Sequence, residues 1–117
     1  MKNFKNKVAA ITGAGSGIGQ QLAVLLAKQG CHLSLSDVNE QGLAKTVELV
    51  KDSHVRVTIK KVNVAKLEEV RAWAAETVQD HGSVNMIFNN AGVALGSTVE
   101  GASYEELEWI VNINFWG

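Results

Sequence analysis

The stretch that most restricts how this chain can fold is residues 12–19, TGAGSGIG. There Gly13, Gly15, Gly17 and Gly19 join a short apolar run, KVAAIT (7–12), to an amphipathic one, GIGQQLAVLLAKQG (17–30). The first run is short, apolar and bounded by glycine, as a strand is. The second carries Ile18, Leu22, Leu25 and Leu26 on one helical face and stops at Gly30. A strand followed at once by a helix needs an abrupt turn, and glycine makes such a turn without a Cβ penalty.

The same order then repeats. CHLSLSD (31–37) reads as a second strand, and Asn39 is placed to cap a helix whose apolar face is Leu43, Val47 and Val50. Gly42 is expected to weaken that helix by about 1 kcal/mol relative to alanine. HVRVTIKKV (54–62) alternates as a third strand, Leu67, Val70, Ala74 and Val78 mark a third helix, and SVNMIF (83–88) is a fourth strand apolar enough to be covered on both faces. Alternating strands and helices predict an α/β domain over residues 1–117, an open, doubly wound, mostly parallel sheet with right-handed crossovers and helices on both faces. Ligands of such sheets bind beyond the carboxyl ends of the strands, where strand order reverses. Functional residues are therefore expected just after strands.

Composition removes several function classes. A hydrophobic content of 46% with 20% charged residues fits a globular domain, and a net charge of −1 without a basic face gives no reason to expect nucleic acid or an anionic membrane as partner. Cys31 is the only cysteine, so an internal disulfide is impossible, and its apolar surroundings suit a small buried thiol. The start, MKNFKNKVAAITGAG, imitates a signal peptide, but VAAIT is shorter than the roughly 7 to 15 residues of a hydrophobic region. No run approaches the roughly 18 apolar residues of a membrane span. These features predict a cytoplasmic setting. His32, His54 and His81 have neither metal-site nor triad spacing, so each is expected to be structural and no metal is expected.

Glycine density before a helix also makes an anion site, because the backbone approaches closely and the first helical amides are free. A GxGxxG reading from Gly13 fails at Ile18, and GxxxxGK[ST] lacks its lysine, whereas TGxxxGxG fits Thr12, Gly13, Gly17 and Gly19 with Ser16 inside the turn. Asp37 ends the second strand roughly 20 residues further on, where a carboxylate can accept hydrogen bonds from ribose hydroxyls. It would repel a 2′-phosphate, and neither Ser16 nor Val38 supplies a compensating cation, so NAD is expected over NADP.

With TGAGSGIG, Asp37 and NNAG (89–92) after the fourth strand, the whole chain resembles the short-chain dehydrogenase/reductase family. The resemblance implies a Rossmann-type sheet. It also implies hydride transfer between a nicotinamide and an alcohol or carbonyl carbon of a small molecule, usually by a dimer or tetramer. It puts Gly13, Gly17, Ile18 and Gly19 on the diphosphate, Asp37 on the ribose, and Asn90, Ala91 and Gly92 beside the nucleotide. Asn63 and Val64 stand where the family usually has an aspartate and an apolar residue at the adenine. Beyond them, Ser103 and Glu106 form a capping box for a helix that shares Leu107, Ile110, Val111 and Asn114 on one face. Asn114 with Gly117 fits the family's NxxG, whose asparagine takes part in the catalytic proton relay.

The family's serine and its Tyr-Lys pair have no match. Tyr104, the only tyrosine, is followed four residues later by Glu108, which would raise a phenol pKa rather than lower it. The expectation is thus an amino-terminal, cofactor-binding part, truncated after the fourth strand and into the following helix, inactive alone and prone to self-association along its fourth strand. Two rivals are a non-catalytic NAD-binding module, or truncated product, and a methyltransferase. For the latter, Gly15, Gly17 and Gly19 satisfy GxGxG, but Ile11 and Thr12 occupy the place of its usual acid.

Overall fold

The apolar runs pair side by side. The computed structural model describes residues 4–90, in which β1 (Val8–Thr12), β2 (His32–Asp37), β3 (Val57–Lys61) and β4 (Met86–Asn89) form one parallel sheet in the order β3-β2-β1-β4. Helices α1 (Gly17–Lys28), α2 (Glu40–Val50) and α3 (Leu67–His81) connect them, with a 3-10 turn at Lys51–Ser53. The chain steps outward from β1 to β3, then returns past β1 to β4. Right-handed crossovers running in opposite directions lie on opposite faces. Two cores record this: Ala9, Ile11, Leu33, Leu35 and Met86 pack with α1 and α2, whereas Ala10 and Ile87 pack with Val70 and Trp73 of α3. This is the doubly wound arrangement that the alternation predicts, and β4 is covered on both faces as expected.

The buried helical faces differ from the expected ones. On α1, Ile18 and Leu25 are 74% and 61% exposed, and the buried stripe is Ala23, Leu26 and Ala27. Small residues let the α1 backbone lie close to the sheet, which the larger side chains would prevent. On α2, Thr46 joins Leu43 and Val50 in the core while Val47 is half-buried. On α3, Val70, Trp73, Thr77 and His81 face inward, and Val78 is exposed. The reason is the polar face of β2. Trp73 Nε1 donates to Ser34 Oγ at 2.9 Å, the Ser34 and Thr77 hydroxyls are 2.7 Å apart, and Thr77 Oγ1 donates to the Trp73 carbonyl at 2.7 Å. A buried hydroxyl keeps its place by such bonds.

Two strands start later than their apolar runs. His54 takes a left-handed φ of 56° after the 3-10 turn, so β3 begins only at Val57. Before β4, Asn85 bonds Val8 through both its backbone N–H and its side-chain oxygen (2.9 and 2.8 Å), and the regular ladder follows at Met86. Cys31 is fully buried, its thiol 3.4 Å from the Lys7 and His32 carbonyls, and burial pushes its pKa up to about 11. It is an inert packing residue, as expected. No described helix is long and apolar enough to cross a membrane.

Candidate functional site

Parallel register brings the carboxyl ends of the strands together, with Thr12 level with Ser36 on one side and Asn89 on the other. Strand order reverses at β1, and the turn after β1 lies there. Gly13 and Gly17 adopt φ of 64° and 54°, values a side chain rarely permits, and Ser16 between them is extended at the N-cap of α1. Ser16, Gly17 and Ile18 are exposed. The opening amides of α1 have no carbonyl one turn back and carry the positive end of the helix dipole, so this exposed start can receive an anion. Exposure of Ile18 belongs to the same feature: it sits on the exposed first turn of α1 rather than in the core.

Thr12, Gly19 and Asn90 shape the turn from below. Thr12 is buried, its hydroxyl 3.3 Å from Asn89 Oδ1 and 3.5 Å from the Phe88 carbonyl, bridging β1 to β4. A Cβ on Gly19 would run into the Gly13 carbonyl oxygen and lie 2.9 Å from Asn90 Nδ2, so only glycine lets α1 start this close to the turn. Asn90 in turn donates from Nδ2 to the Gly13 carbonyl at 3.3 Å.

Asp37 stands across from the turn and is tied to it. Its Oδ2 accepts from the Gly15 amide at 2.8 Å and its Oδ1 from the Asn39 amide at 3.0 Å. Each carboxylate oxygen keeps acceptor capacity for another donor, enough for a vicinal pair of hydroxyls. Beside it lies a cleft of about 210 Å³ lined by Gly13, Ser36, Asp37, Val38, Val62, Asn63 and Val64, none of them cationic. Asn63 holds its own loop: its amide donates to Glu69 Oε1 at 2.8 Å and its Oδ1 accepts from the Ala65 amide at 3.0 Å, leaving Val62 and Val64 as buried apolar wall.

One part of the site escaped the sequence reading. Helix α2 touches the turn directly: a Cβ on Gly42 would collide with the Gly15 carbonyl oxygen and lie 3.0 Å from Gly15 Cα. Gly42 is therefore a contact point, not simply a weak spot in the helix, whose start Asn39 caps by accepting from the Gly42 amide at 3.0 Å. One turn on, Thr46 Oγ1 lies 2.7 Å from the Ala14 carbonyl and 3.1 Å from that of Gly42, and it accepts from Gln20 Nε2 at 2.9 Å. The available signal was an isolated glycine inside an amphipathic helix, which often marks close backbone approach.

Ala91, Gly92, Tyr104, Asn114 and the Ser103–Glu106 capping box lie outside the described residues. The described histidines serve the frame. His32 Nδ1 accepts from the Arg56 amide at 2.9 Å, His81 Nε2 lies 2.8 Å from Thr58 Oγ1, and no group of three potential metal ligands occurs among the described residues.

The comparisons with known proteins agree with this geometry. The family model for short chain dehydrogenases matches residues 7–117. The chain is 43% identical to SadH of Mycobacterium tuberculosis over 117 residues, all of this chain and 42% of SadH. It is 38% identical to a cyclohexanol dehydrogenase of Acinetobacter sp. over 113 residues, 95% of this chain and 45% of that protein. Among solved structures it is similar to NAD+-bound xylitol dehydrogenase, with a TM-score of 0.75 at 35% identity over 78% of this chain and 35% of that one. The chain thus spans less than half the length of these proteins. A methyltransferase reading finds no support among them. With a glycine turn at the strand-order reversal, a carboxylate ending β2 and a family match over nearly its whole length, the chain belongs to the short-chain dehydrogenase family.

Proposed function

We propose that these 117 residues are the cofactor-binding part of an NAD-dependent oxidoreductase acting on an alcohol or carbonyl group of a small molecule. The observation that carries this reading is Asp37: its carboxylate is fixed by the amide of the glycine turn in a cleft with no cationic lining residue, with acceptor capacity left on both oxygens. The residues present fit the cofactor. The exposed amides at Gly17 and Ile18 suit the diphosphate, Asp37 the ribose hydroxyls, and Val62, Asn63 and Val64 an adenine ring. In this reading the family resemblance assigns Ala91 and Gly92 to the nucleotide alongside Asn90, and Asn114 to the proton relay. When bound, the nicotinamide accepts or gives a hydride. The similarity to an NAD+-bound xylitol dehydrogenase supports a nicotinamide cofactor, and the lack of a cation lining the cleft supports NAD over its 2′-phosphate form.

In this reading the Tyr-Lys pair that moves the proton is not among these residues. Tyr104 has Glu108, not lysine, four positions later. In this reading the chain binds the cofactor but does not turn over by itself, and the enzyme it serves is a cytoplasmic homo-oligomer that acts on neither nucleic acid nor membrane. Calorimetry with NAD and NADP is the test. NAD should bind more tightly, and Asp37→Ala should lose about tenfold in NAD affinity, the worth of a charge-assisted hydrogen bond. Equal binding of NAD by Asp37→Ala would defeat the ribose assignment, and turnover of an alcohol by the 117 residues alone would defeat the division of labour.

A further inference from the structure

We infer that helix α2 sets the geometry of the ribose clasp, with Thr46 as a positioning residue that acts on Asp37 through the Ala14–Gly15 segment. This rests on the NAD reading above. An aspartate at a strand end has free rotation about two side-chain bonds, and Asp37 is held in one orientation by the Gly15 and Asn39 amides. The Gly15 amide is only as fixed as its backbone. That backbone lies between Gly13 and Gly17, both at left-handed φ, in the part of the chain with the most conformational freedom to lose. Something outside the turn must hold it.

Thr46 is that hold. The residue is fully buried, and its Oγ1 lies nearer the Ala14 carbonyl oxygen (2.7 Å) than that of Gly42 (3.1 Å), while it accepts from Gln20 of α1. The Ala14 amide is held on its other side by the Ser36 carbonyl at 3.0 Å. Gly42 then lets α2 approach until its backbone meets that of Gly15. The turn is clamped between β2 and α2, and the Gly15 amide can point only at Asp37. Cofactor choice, read by Asp37, is thereby coupled to a hydroxyl that touches no cofactor atom.

Thr46→Val removes the hydroxyl and keeps the shape. It should weaken NAD binding about tenfold and narrow the preference for NAD over NADP, while Thr46→Ser should bind within about twofold of the unaltered protein. Because the effect passes through Asp37, Asp37→Ala and Thr46→Val should not multiply. The double variant should bind within about threefold of Asp37→Ala alone, where independent action would give about a hundredfold loss. Thr46→Ala should show the same coupling and decides the matter if Thr46→Val does not fold; Gln20→Ala would not isolate the Thr46 hydroxyl, because Gln20 Nε2 also reaches the Gly15 carbonyl at 3.4 Å. Unaltered NAD binding by folded Thr46→Val, or multiplicative losses, would overturn the inference and leave the NAD reading intact. Failure of the unaltered protein to bind NAD would bring down both.

Discussion

Gly42→Ala separates helix propensity from tertiary contact, because the two predict opposite signs. In an isolated helix the change stabilises by about 1 kcal/mol. Here the new methyl would lie 3.0 Å from Gly15 Cα and carbonyl carbon, and nearer still to the carbonyl oxygen, all of them backbone atoms that cannot rotate away. Relief requires α2 and the glycine turn to part by about 0.5 to 1 Å, an overpacking cost of about 1 to 3 kcal/mol. The same displacement stretches the Thr46–Ala14 and Gly15–Asp37 hydrogen bonds, each worth about 1 kcal/mol. With each stretched bond losing about half of that worth and the propensity gain subtracted, a net loss of about 1 to 3 kcal/mol remains, which lowers Tm by several degrees or more in a domain of this size. Thermal unfolding followed by circular dichroism, with Gln41→Ala at the exposed neighbouring position as reference, measures it. A higher Tm for Gly42→Ala than for the unaltered protein would show that turn and helix are not in forced contact, and the clamp would lose its basis.

Two titrations follow from burial. Above pH 9.0 the unfolded Cys31 thiol ionises while the buried one stays neutral until about pH 11, so stability should fall as pH rises through that window. Cys31→Ala should flatten the fall, and thiol labelling of the native protein at pH 8 should proceed only at the rate of opening. The pKa of His81 is lowered from 6.5, first by desolvation and then by the Arg56 charge, with His32 acting the same way and Asp80 opposing. The unfolded chain therefore takes up this proton before the folded one, and stability should be lost as pH falls below 6.5. His81→Gln should reduce the difference between melting temperatures at pH 7.5 and pH 5.5; an undiminished difference would assign it to other groups.

Much was legible in the sequence because it rests on local requirements. A run of apolar residues, a glycine turn and an amphipathic stretch can be joined in few ways, and their repetition determined a parallel doubly wound sheet, the turn at Gly13–Gly19 and the acid at Asp37. What the pattern could not decide was which residues of each helix face inward. Ile18 and Leu25 look like core by hydrophobicity, yet the sheet is approached by Ala23 and Ala27, because burial there follows how closely two backbones must lie. Likewise Trp73 and Thr77 face inward because β2 offers them Ser34, a partner 39 and 43 residues away. The clamp on the glycine turn is of this second kind. Gly42 reads as a flaw in a helix and Thr46 draws no notice in the sequence; both acquire their role only when α2 is laid against Gly15, since a contact between two backbones leaves no periodic trace in either.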